Sequence, residues 1–141
     1  MNKKLKIVLS LISIISVTTI SAFIIISPIT LGEEFEKTKY VSIADIKNNI
    51  SITKSVVEVK DLIKYLSDKE VHRYSIAPAI KGRGFSGEFF DMIILFYETD
   101  LTIYIGHSKI YIEDSKWRYS FENQEDVKTY IIKYIDELKN D

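Results

Sequence analysis

The residues Gly82-Arg83-Gly84-Phe85-Ser86-Gly87 satisfy the pattern G-x-G-x-x-G. In dinucleotide-binding folds such glycines give a tight turn and let pyrophosphate approach a helix N-terminus, so a helix must follow. Here the following stretch, Glu88 to Tyr97, reads as a strand, and no βαβ unit surrounds it. Protein kinases do place a glycine-rich loop between two strands, but they also need a catalytic lysine, a catalytic aspartate and metal ligands. A domain of roughly 105 residues leaves no room for that machinery. The string therefore reads first as a hairpin loop whose glycines supply positive φ. One functional use remains, in which Lys81, Gly82, Arg83, Gly84 and Gly87 are ligand-binding residues that meet an anion or a headgroup through two cations and loop amides.

The other reactive side chains are sparse. His72 and His107 are the two histidines, and a zinc site built on them would need carboxylates such as Asp91, Glu113 or Asp114. No H-x-x-x-H or H-E-x-x-H spacing is present, and no serine stands in a G-x-S-x-G elbow. Glu113 and Asp114 are adjacent, so on a strand they would point to opposite faces; they read as a turn. With zero cysteines there is no disulfide, thiolate metal site or cysteine nucleophile. The expectation is an absence of catalytic residues, metal and cofactor. Among the aromatics, Tyr104, Tyr111, Trp117 and Tyr119 are expected to share a sheet face, either packed under a helix or open as a sugar- or peptide-binding surface.

The elements that must position these residues fall into two parts with different solvents. The 141 residues carry 19 basic and 20 acidic side chains, a net charge of −1, which argues against phosphate-driven nucleic-acid binding. Lys3, Lys4 and Lys6 are the only charges before Glu33, so the remainder, with sixteen basic and twenty acidic residues, is at −4. Residues 1–6 form a basic tip, and residues 7–31 are uncharged and apolar throughout. As a helix this run reaches about 37 Å against a hydrocarbon core of about 30 Å. The sequence thus predicts a transmembrane signal-anchor helix over 7–31, in contact with lipid, with a linker at 32–38 and an extracytoplasmic domain at 39–141. The lysines put the N-terminus in the cytoplasm and the C-terminal domain outside. Cleavage as a secretory signal after Thr19-Ile20-Ser21 is the competing reading, and it too exports the domain.

Within that domain, 39–44 and 50–53 read as a first hairpin turning at Asp45 to Asn49. Ser55 with Glu58 has capping-box spacing, and Val59, Leu62, Ile63 and Leu66 make an apolar stripe, which predicts a helix over 56–68. A strand at 71–80 is pushed toward an edge by Pro78. Phe89 to Tyr97 is apolar on both parities, as for a central strand, and three short strands follow through 101–121. Val127, Tyr130, Ile131, Tyr134, Ile135 and Leu138 form the stripe of a last helix. The fold class is α+β: a small antiparallel meander packed with two helices, behind a transmembrane helix.

Asp45-Ile46, Ile50 to Thr53, Leu62 to Leu66, Leu95 to Glu98 and Ile110 to Ile112, in that order behind a single apolar segment, resemble small single-anchor extracytoplasmic domains of unknown function from AT-rich Gram-positive bacteria. The resemblance implies an envelope location and brings no catalytic motif with it. The expected function is a membrane-anchored, non-enzymatic binding or accessory protein of the cell envelope with an envelope protein or peptide as partner. The alternatives are a secreted factor with a cleaved signal peptide, or a small envelope enzyme using the Gly82–Gly87 loop.

Overall fold

A computed structural model describes residues 3–76 and 90–140. Helix α1 runs Lys3–Ile26. No residue of Lys6–Phe23 is buried against the rest of the chain, and this stretch is long and apolar enough to cross a membrane. Its hydroxyls do not interrupt it, because Ser16, Thr18 and Thr19 donate to the carbonyls of Ile12, Ile14 and Ile15 one turn back. The helix stops two residues short of Pro28, whose ring disfavours helical backbone in the residue before it.

Eight strands form one antiparallel sheet in the order β1-β4-β8-β7-β6-β5-β2-β3. They are β1 (Ile29–Thr30), β2 (Tyr40–Asp45), β3 (Ile50–Ser55), β4 (Glu70–Ile76), β5 (Phe90–Phe96), β6 (Thr102–Gly106), β7 (Ile110–Glu113) and β8 (Trp117–Phe121). The expected meander is the centre, β5 to β8, and the expected first hairpin closes through Asn49 at φ 55°. β4 lies inside the sheet between β8 and β1, but β1 covers only its Glu70–Val71 end, so among the described residues most of β4 has a strand partner on one side alone. Pro78 lies outside the described residues.

One face of the sheet carries Val41, Ile43, Ile94, Phe96, Ile103, Ile105, Ile110, Ile112 and Phe121, all almost fully buried. Above it lie α2 (Gly32–Glu36), α3 (Lys60–Ser67) and α4 (Gln124–Asn140). The stripe anticipated for α4 delivers Val127, Ile131 and Ile135 to this core. Tyr65 of α3 stacks on Tyr130 of α4 with ring centroids 3.6 Å apart, joining the two helices.

Three local readings need correction. Residues 56–59 are a turn, and α3 starts at Lys60. The Ser55 amide and hydroxyl do bind the Glu58 carboxylate, each at 2.8 Å, but this closes the turn ahead of the helix and does not cap it. The stretch read as a linker, 32–38, holds α2, whose Phe35 is fully buried and meets Phe96 edge-on at 5.0 Å. Phe35 stands among Glu and Lys neighbours that concealed it. Likewise the end of the 7–31 apolar run is not helix, since Ile29 and Thr30 pair with β4 and Leu31 enters the core.

Candidate functional site

Alternation along a strand sends successive side chains to opposite faces, so the register decides where each reactive residue goes. Tyr119 pairs with Ile112 and faces the helices, whereas Tyr111 pairs with Tyr104 and Ser120 on the other side. The expected shared aromatic face is therefore split: Tyr104 and Tyr111 lie away from the helices, and all three tyrosines are buried.

On that second face the register sets Thr102, Glu113 and Arg118 in one row. Arg118 Nε donates to Glu113 Oε2 at 2.8 Å, with the side chains 6% and 0% exposed. The Arg118 guanidinium lies 5.2 Å from the Tyr111 ring centre, Tyr104 stacks on Tyr111 at 5.0 Å, and Phe90 packs against both rings. Burial raises the Tyr104 phenol above its ordinary pKa, and the charge of Glu113 adds to this. A cavity of about 190 Å³ opens beside the row, lined by Tyr74, Lys109, Ile110, Tyr111, Ser120 and Gln124. The row offers a buried, charged floor flanked by aromatic rings. Glu113 thus leaves the turn in which its sequence position placed it, and only Asp114 remains there, accepting from the amides of Lys116 and Trp117 at 2.6 Å and from the Tyr119 hydroxyl.

A second charged cluster ties the chain's end to the first hairpin. Asp45, buried at the end of β2, accepts from Lys139 Nζ at 2.7 Å and from Asn48 Nδ2 at 2.8 Å. Burial alone would raise this carboxyl, but the hydrogen bonds from Lys139 and Asn48 outweigh it and bring it down to about 2.

His72 sits on β4 opposite Ser120, and His107 follows β6, where its carbonyl accepts from Lys128 Nζ. Among the described residues no three His, Asp or Glu side chains gather as metal ligands. Lys81, Gly82, Arg83, Gly84 and Gly87 lie outside the described residues. The Glu113–Arg118 pair was missed in the sequence, although opposite charges flanking the short turn Asp114 to Lys116 are a usable signal for a cross-strand pair.

The chain matches no family model, no curated protein and no solved structure. The resemblance to small envelope domains therefore rests on the residues that carry it.

Proposed function

We propose that this chain is a single-pass, membrane-anchored binding or accessory module of a bacterial envelope, with its N-terminus in the cytoplasm and its folded domain outside. The observation that carries the reading is α1: an apolar rod that buries nothing of Lys6–Phe23 in the domain, yet runs into its sheet through only Ser27 and Pro28. A helix with no protein covering it needs lipid around it. Lys3, Lys4 and Lys6 stand at its N-terminal end and Glu33, Glu34 and Glu36 follow it, the asymmetry that keeps an N-terminus inside.

A peptide or protein partner fits the far side of the sheet. β3 is its outermost strand opposite the anchor, six residues long, with no strand beyond it among the described residues. Its outer backbone can accept an added strand. The buried ionisable groups meanwhile hold the fold together in pairs, Glu113 with Arg118 and Asp45 with Lys139.

The absence of native cysteine makes topology directly measurable. Lys133→Cys, at an exposed site on α4, should react with a membrane-impermeant maleimide in intact cells, while Lys4→Cys should react only after permeabilisation. The reverse pattern would overturn the orientation. A mature chain that starts near Ala22 would overturn the anchor and leave a secreted factor.

A further inference from the structure

The junction between α1 and the sheet fixes how close the domain lies to the bilayer. As helix, Ile7 to Ile26 rises about 30 Å, the thickness of the hydrocarbon core. Ser27 and Pro28 add at most about 7 Å, on the order of one headgroup layer. Ile29 and Thr30 then pair antiparallel with Val71 and Glu70, so β4 runs back from this point toward the end of α1. α1 also touches β4 directly, so β4 lies beside the helix that would cross the membrane. β8 begins at that same end, where Ile76 pairs with Trp117, and the Asp114 to Lys116 turn precedes it. Sheet twist of about 20–25° per strand carries the ends of the more distant strands out of this plane. The membrane-near corner is thus β4, β8 and that turn.

The exposed chemistry of this corner is that of a membrane interface. Tyr74 is 61% exposed, Trp117 is half-buried with the Arg73 guanidinium 5.8 Å from its ring centre, and Lys116 is exposed. Trp and Tyr concentrate at headgroup depth, where a ring can be half apolar and half wet, and Arg and Lys meet lipid phosphates there. Asp114, the acid of the turn, directs its carboxylate to the Lys116 and Trp117 amides and the Tyr119 hydroxyl. We infer that Tyr74 and Trp117, flanked by Arg73 and Lys116, seat this corner of the sheet in the headgroup layer of the bilayer that α1 crosses. The inference rests on the anchor reading above and adds to it a contact between this corner of the sheet and the lipid.

Trp117 is the single tryptophan of the chain, so its fluorescence reports this corner alone. The full chain is placed in phosphatidylcholine–phosphatidylglycerol vesicles carrying a spin label either near the headgroup or at the acyl-chain end. The shallow label should quench emission roughly two-fold or more and the deep label little, as for an interfacial ring. Because Trp117 also packs against the core, a second chain with Trp117→Phe and Tyr74→Trp moves the probe to an exposed position, where the same depth profile is expected. A chain that floats with the vesicles while both probes stay unquenched would overturn the seating and leave the anchor intact. A chain that does not float would overturn the anchor itself, and the seating with it. Unquenched emission that shifts on dilution into excess lipid would give the corner to a second copy, also overturning the inference.

Discussion

At the scale of single residues, Glu113–Arg118 is the most deeply buried ion pair among the described residues. Two charges have left water, and each is tolerable only beside the other. Arg118→Ala would strand the Glu113 carboxylate under almost complete cover, at an expected cost of about 3–5 kcal/mol. Replacing both together, Glu113→Leu with Arg118→Met, should recover most of that loss, because no unpaired charge stays behind. Urea unfolding of the wild type and both variants measures the difference. If the double variant is as unstable as the single one, the pair acts through more than mutual compensation.

At the scale of elements, the clearest junction is the end of α4 against the first hairpin, held by Lys139 on Asp45. Asp45 has a folded pKa of about 2, below its ordinary 3.8, so its contribution is complete above about pH 4 and disappears as pH falls through 2. The shift corresponds to about 2 kcal/mol. Amide exchange at residues 136–140 should therefore accelerate between pH 4 and 2 before the meander opens, and Asp45→Asn should remove that pH dependence. Elements of this kind were legible where periodicity was long: α4, the β2–β3 hairpin and the meander all follow from alternation or a helical stripe. Phe35 and β1 were not, because a five-residue helix and a two-residue strand carry no period, and tertiary packing alone defines them. For the same reason the Thr102, Glu113 and Arg118 row stayed hidden. It depends on register across three strands, and register is set by turns that sequence places only to within a residue or two. The candidate loop at Gly82–Gly87 was legible as a motif, and its neighbours β4 and β5 flank it as strands.

At the scale of the whole molecule, the boundary between rod and domain falls at Pro28. A chain beginning at Ile29 keeps β1, Leu31 and Phe35, and should be a soluble, cooperatively folding monomer by gel filtration and circular dichroism. One beginning at Lys39, where the sequence alone would cut, loses Phe35 and its contact with Phe96, and should be less stable by at least about 3–5 kcal/mol, the cost of deleting a buried phenylalanine. Equal stability of the two would show that the first turn of the domain is only draped over it.

The junction also determines how the molecule bears tension. On the proposed anchoring, a pull on a partner held at the outer edge would be resisted by α1 in the bilayer, and β1 joins the two through a ladder only two residues long, Ile29 and Thr30 on β4. The meander strands, by contrast, are hydrogen-bonded on both sides. On that reading β1 would be the first strand to peel under force, freeing a few residues of slack while the central sheet stays folded, so the joint would work as a mechanical fuse.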